Sequence, residues 1–233
     1  MKKLLTIFTI ATLSTLSAHA ERAFTTDPFD PLWLGLKGVV LAETGADIYK
    51  STISVPVRAQ WSVVDDFAIE VDVNGQADFN NPNSGVSNLG LNAYYRISEG
   101  KMIFDMVGGF RLGRENSRVA MYRDDIYTFG MRIGTVRNKI TLSMDVLTNW
   151  AFNGNYSYAQ LNLVPNVYIR LDEDWKLGAY ADVKKDTYNT GQEEVRIGVL
   201  AVKQYGATSY MGGAGYAVNE ASIYLQARLA VLF

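Results

Sequence analysis

Apolar and polar residues alternate one for one through long stretches of this chain. From Phe67 to Phe79 the odd positions hold Phe67, Ile69, Val71, Val73, Gly75, Ala77 and Phe79, while the even positions include Glu70, Asp72, Asn74, Gln76 and Asp78. Successive side chains of a strand point to opposite faces, so this pattern specifies a strand with one apolar and one polar face. Trp175–Lys184 repeats it, with Trp175, Leu177, Ala179, Ala181 and Val183 set against Lys176, Tyr180, Asp182 and Lys184. Ile140–Trp150 sets Ile140, Leu142, Met144 and Val146 against Thr141, Ser143 and Asp145. The last thirteen residues, Ala221–Phe233, do the same. Such segments exceed the usual soluble strand of about 5–6 residues and match the ~9–11 residues of a tilted strand that crosses a bilayer.

The whole chain resolves into strands near 32–42, 51–63, 67–79, 88–97, 102–111, 126–136, 140–150, 157–171, 175–184, 194–203, 208–217 and 221–233. The expected fold is all-β: a closed antiparallel up-and-down transmembrane β-barrel of about twelve strands, with ten or fourteen as alternatives. Connection lengths alternate. Asp65-Asp66, Ser98–Lys101, Arg137–Lys139, Asp172–Asp174 and Tyr205–Ala207 are tight, and 43–50, 80–87, 112–125, 151–156 and 185–193 are longer. Short turns on one side and longer loops on the other are the pattern of membrane barrels. The last outer connection, near Asn219-Glu220, is the short exception.

The N-terminus carries an address. Met1-Lys2-Lys3, the apolar run Leu4–Leu16 and Ala18-His19-Ala20 form the basic, apolar and small-x-small parts of a signal peptide, residues 1–20, with cleavage expected after Ala20. Residues 21–31 contain two prolines and no alternation, and read as a periplasmic leader. The barrel is expected to occupy 32–233. Without Lys2 and Lys3 the chain holds 20 basic and 24 acidic side chains, which argues against nucleic acid as a partner. There is no cysteine, so disulfides do not stabilise this exported chain.

The closing strand carries a further signal. Leu225, Ala227, Leu229 and Val231 alternate up to a C-terminal Phe233. This resembles the last strand of Gram-negative outer-membrane β-barrel proteins of the porin-like type, in which a terminal Phe is read by the barrel-assembly machinery. The family often carries Gly where this chain has Arg228. The resemblance implies a bacterial outer-membrane location, contact with outer-membrane lipid, and an assembly signal at Leu225, Leu229, Val231 and Phe233. A soluble sandwich would alternate too. Two aromatic girdles argue for the membrane: Trp61, Phe67, Tyr95, Trp175 and Phe233 share the apolar face at one end, and Phe79, Tyr127 and Trp150 share it at the other.

Most catalytic chemistry is excluded. His19 is the only histidine and leaves with the signal peptide, so no His-dependent hydrolase and no His/Cys zinc site can be built. Ser98-Glu99-Gly100-Lys101 matches an S-x-x-K string but falls in a turn, not on the helix that chemistry needs. Asp65-Asp66 and Asp172-Glu173-Asp174 suit tight turns for backbone reasons, more than they suit calcium. Asn80, Asn81, Asn83 and Ser84 read as a polar outer loop. The chain is therefore read as no enzyme, with no catalytic residue, no metal and no cofactor.

The inward row is the constellation of substance. By parity it holds Lys37, Arg58, Glu70, Asp72, Asp78, Arg96, Asp105, Arg111, Arg132, Asp145, Arg170, Lys176, Asp182, Lys184, Glu194, Arg196 and Arg228, more basic than acidic. Such a row lines a channel for small hydrophilic solutes, with weak anion preference, or fills the barrel as an ion-pair network. The first gives a porin; the second gives a non-conducting structural or surface-interaction barrel that acts through its outer loops. Solute identity and oligomeric state are not legible. Deleting Phe233 is expected to lower the folded, membrane-inserted fraction, read as lost heat-modifiable mobility on SDS gels. Undiminished insertion would contradict the assembly signal.

Overall fold

The computed structural model describes residues 27–80, 84–86, 89–112, 125–153, 156–187 and 193–233. Its strands are β1 (Val40–Tyr49), β2 (Thr52–Val64), β3 (Phe67–Asp78), β4 (Ser84–Val86), β5 (Gly90–Glu99), β6 (Ile103–Arg111), β7 (Ile126–Arg137), β8 (Ile140–Asn153), β9 (Tyr156–Arg170), β10 (Trp175–Asp186), β11 (Glu193–Tyr205), β12 (Thr208–Ala217) and β13 (Ser222–Leu232). Every neighbouring pair is antiparallel. The short β4 and β5 share one position in the wall: β5 pairs with Phe67–Asp72 and β4 with Gly75–Ala77 of β3. The result is a closed barrel of 12 strand positions, as the alternation requires.

Closure joins the two ends of the sheet. β1 pairs with β13 from Leu41↔Leu232 to Tyr49↔Tyr224. Val40 N donates to Phe233 O at 3.0 Å, and Phe233 N donates to Val40 O at 2.8 Å. The C-terminal residue is thus the last rung of the seam, and its ring is exposed on the outer face. Outward positions form a band of exposed apolar residues, among them Val57, Val71, Leu91, Met106, Phe129, Leu142, Leu177, Val199 and Leu225. Trp61, Tyr95 and Trp175 edge it at the tight-turn end; Phe79, Tyr127 and Trp150 edge it at the other.

The N-terminal boundary differs from the sequence reading. The stretch 32–42 is not the first strand. β1 begins at Val40 and runs through 43–49, which had read as a loop. Its outward residues, Ala42, Thr44, Ala46 and Ile48, are mostly small, so the apolar half of the alternation is faint. The connection to β2 is only Lys50-Ser51. Gly38, at φ 89°, ends the preceding segment in a conformation that L side chains rarely adopt. The apolar residues Leu32 and Trp33 are buried in the barrel, not turned to lipid. Of the leader, residues 27–31 are likewise packed in the barrel's end, with Asp27 and Phe29 buried. The signal peptide, Asn81, Asn83 and the loop segment 113–124 lie outside the described residues.

Close strand approach explains some inward glycines. A Cβ on Gly130 would lie 2.1 Å from the backbone oxygen of Val146 on β8. Gly130→Val must therefore pry β7 from β8. A loss of about 1–3 kcal/mol or more is expected for such overpacking, measured as a lower urea midpoint for the folded band on unboiled gels.

Candidate functional site

The interior is the candidate site, and the strands place its side chains by parity. Even residues of β2, β3, β5, β7, β9, β10, β11 and β13 face in, as do odd residues of β1, β6, β8 and β12, up to the register shifts after Ser62 in β2 and Arg96 in β5. Arg58, Glu70, Asp72, Asp78, Arg96, Asp105, Arg111, Arg132, Asp145, Arg170, Lys176, Asp182, Lys184, Arg196 and Arg228 all fall on inward parity, as expected. Lys37 does not. It sits exposed in the turn before β1, and its backbone N donates to Asp65 Oδ1 at 2.9 Å.

Most of the charges pair across the ladder, with Arg111 reaching over Gly90 of β5 to Asp72 and two pairs lying within single strands. Arg58 Nε lies 2.5 Å from Glu43 Oε2, and its Nη1 lies 3.2 Å from Glu70 Oε2. Arg228 grips Asp47 with two bonds of 2.6 and 2.7 Å. Arg96 holds Asp105 through 2.8 and 3.1 Å bonds, and Arg132 holds Asp145 through 2.9 and 3.3 Å bonds. Arg111 Nη2 donates to Asp72 Oδ2 at 2.6 Å. Three of these pairs, Glu43/Arg58, Arg96/Asp105 and Arg132/Asp145, are directly opposite in register. The planar guanidinium fork suits such two-bond contacts. Amides extend the network: Asn92 Nδ2 donates to Glu70 and Asp72, and Thr128 Oγ1 donates to Asn149 Oδ1 at 2.8 Å. At the long-loop end, Lys184 lies 3.1 Å from Asp182, and Arg196 lies 2.5 Å from Glu194.

Open space remains inside, and a further space of about 510 Å³ lies at the long-loop end among Gln160, Lys184, Asp186, Glu193, Glu194, Asn219 and Glu220. An outer chamber of about 440 Å³ is lined by Arg58, Asp72, Asn74, Asn92, Tyr94, Arg111, Thr128, Asn149, Gln160, Asn162 and Lys184. A second space of about 350 Å³ shares Glu43, Pro56, Arg58 and Tyr94 with it. That second space ends on Pro28, Phe29, Asp30, Pro31 and Trp33 of the N-terminal segment.

This segment fills the tight-turn end of the lumen. Phe29 and Trp33 pack with Leu41, Tyr168, Leu200, Val202 and Ala230. Leu32 occupies the hollow that Gly134 leaves, where a Cβ would lie 2.7 Å from its methyl groups. Burying such a side chain contributes roughly 1.5–3 kcal/mol. Arg96 Nη2 donates to Leu32 O at 2.7 Å. Thr141 Oγ1 donates to Asp30 Oδ2 at 3.0 Å. Lys176 Nζ lies 3.1 Å from Asp27 Oδ2, without the alignment of a hydrogen bond, and 4.0 Å from Asp30. Burial pushes the Asp30 carboxyl above its ordinary range, with the Lys176 ammonium working against that shift.

Sequence reasoning missed Glu43 and Asp47 because 43–50 looked like a loop; the alternation of Glu43, Gly45, Asp47 and Tyr49 against Ala42, Thr44, Ala46 and Ile48 was the signal. It missed Asp27 and Asp30 because no periodicity marks a plug. With these four acids inside and Lys37 outside, the basic excess read from parity disappears.

The geometry defines a class: a closed, twelve-position membrane-type barrel with an ion-paired polar interior. No protein-family model matches the sequence, and no curated protein sequence matches it. Solved structures do resemble it in fold. A NanC porin aligns with TM-score 0.65 at 5% identity, covering 82% of this chain and 98% of that one. An outer membrane channel from Pseudomonas putida F1 aligns at 0.63 with 13% identity, covering 89% and 99%. A KdgM porin in complex with disordered oligogalacturonate aligns at 0.62 with 9% identity, covering 82% and 98%. The fold is therefore that of porin-like outer-membrane barrels.

Arg96→Ala would strand the buried Asp105 carboxylate and the Leu32 carbonyl. A destabilisation of about 3–5 kcal/mol is expected for breaking such a buried pair, read from urea unfolding of the reconstituted protein.

Proposed function

We propose that this chain is an outer-membrane channel that passes small hydrophilic solutes with weak anion preference. One observation carries the reading. The outer chamber is polar, and two of the arginines that line it, Arg58 and Arg111, stand nearer the water than the acids that pair with them. The Arg58 side chain is 31% exposed against 11% for Glu43 and 6% for Glu70. Arg111 is 28% exposed against 20% for Asp72. Anion preference then comes from the arginines of these pairs facing the solute, not from an excess of basic residues. A constriction lined by basic groups favours anions. The porin folds that this barrel shares support transport, and the KdgM porin's oligogalacturonate is an acidic ligand held by such a barrel. No catalytic role is assigned.

The same reading places the chain in the bacterial outer membrane. Residues 1–20 serve as the signal peptide, cleaved after Ala20, and the rest of the leader precedes the plug. Leu225, Leu229, Val231 and Phe233 present the surface that the assembly machinery reads. The tight-turn end is periplasmic. A second reading, a non-conducting barrel that acts through its outer loops, draws on the filled periplasmic half of the lumen.

Planar-bilayer recordings under a salt gradient test the proposal. The reversal potential should indicate a small anion preference that weakens as salt screens the lining. Arg111→Gln should shift the preference towards cations, because it removes an exposed cation and bares Asp72. Cation preference in the unmodified protein would contradict the proposal.

A further inference from the structure

We propose that residues 27–36 form a displaceable plug that gates the periplasmic half of the lumen, an inference that rests on the channel reading above. The open space descends from the outer chamber to Phe29, Asp30 and Trp33 and stops there. The wall around the plug is mixed: Leu41, Tyr168, Leu200, Val202 and Ala230 pack against Phe29 and Trp33, and polar side chains are buried among them. Gln60, Ser62, Ser143 and Ser209 are buried on inward positions, and each leaves a side-chain atom without a hydrogen-bond partner. A wall that meets water when the plug leaves needs these hydroxyls and amides. Part of the cost of exposing the plug's apolar side chains is thus offset by hydrating the wall.

The charges point the same way. Asp27 and Asp30 share one ammonium, Lys176, in a buried place, so two carboxyls compete for it while the segment is docked. Withdrawal also breaks no sheet bond. Among the described residues, the backbone-to-backbone bonds within 27–36 are turns of the segment itself, Asp30 N to Asp27 O and Trp33 N to Asp30 O. Its links to the wall are made by side chains, chiefly Arg96 to the Leu32 carbonyl and Thr141 to Asp30. The pivot is the Lys37-Gly38 turn. Gly38 holds a positive φ with open space around it, and Gly38 N is tied to Ser62 O at 2.8 Å. A segment that adds no rung to the sheet can leave at lower cost than a strand of it.

The chain has no cysteine, so an engineered pair is unique. In Asp30→Cys/Thr141→Cys, a short reducible bis-thiosulfonate reagent bridges the plug to β8. Single-channel conductance is recorded bridged, after reduction, and for a variant lacking 27–36, each with folded mobility confirmed on unboiled gels. The bridged channel should be silent or nearly so. Reduction should restore a conductance that flickers between closed and open levels. The deletion variant should stay open. In the unbridged protein, Trp33→Ala should lengthen the open dwell time several-fold. Equal conductance in all three states, or a dwell time unchanged by Trp33→Ala, would overturn the gate and leave the channel standing. Silence before and after reduction, with conduction only on deletion, would make the segment a fixed stopper and overturn the gate. Silence of all three would overturn the channel reading and the gate with it.

Discussion

A backbone in hydrocarbon has no water to bond with, and every other feature of this molecule follows from that constraint. A strand crossing lipid must give each N–H and C=O a partner in a neighbouring strand, and an open sheet edge would leave a row of them bare. The sheet therefore closes, β1 onto β13, with Phe233 completing the last rung against Val40. Closure divides each strand's two faces between lipid and interior. Apolar residues are forced outward, and the polar residues of the alternation are forced into a shared, narrow space.

That crowding makes the interior what it is. Charges placed side by side in a confined space are costly unless paired, and neighbouring strands supply partners directly across the ladder. Arg96 with Asp105 and Arg132 with Asp145 are such rungs, and Arg58 bridges Glu43 on one side to Glu70 on the other. Paired charges narrow the lumen but do not fill its outer half. In the tight-turn half the strands contribute smaller and apolar inward residues, such as Ala68, Gly134, Leu200, Val202 and Ala230, and the N-terminal segment occupies the room they leave.

The barrel was largely legible because a period of two is a strong signal when both faces are chemically distinct. Phe67–Phe79 and Trp175–Lys184 sit in the strands and on the faces that their alternation implies. The signal failed at β1, where Ala42, Thr44 and Ala46 meet lipid with small side chains while Leu32, Leu34 and Leu36 upstream imitate a strand. Plug residues have no period to read. Phe29, Leu32 and Trp33 are buried by tertiary packing against residues far along the chain, such as Tyr168 and Ala230. Individual pairs were not legible either. Arg228, where a glycine is common in the barrels it resembles, is explained by Asp47, and that partner is visible only once β1 is in register with β13.

The central claim is that one face of each strand meets lipid and the other meets a water-filled chamber closed at the plug. Single cysteines along β8 test it directly, since the chain has no cysteine of its own. In vesicle-reconstituted protein, a membrane-impermeant thiol reagent added from the long-loop side should label Asn149→Cys and spare Met144→Cys and Val146→Cys. Brominated lipid should quench a fluorophore at the spared positions. Ser143→Cys, inward but behind the plug, should react far more slowly than Asn149→Cys. Labelling without a period of two, or equal rates at positions 143 and 149, would contradict the account.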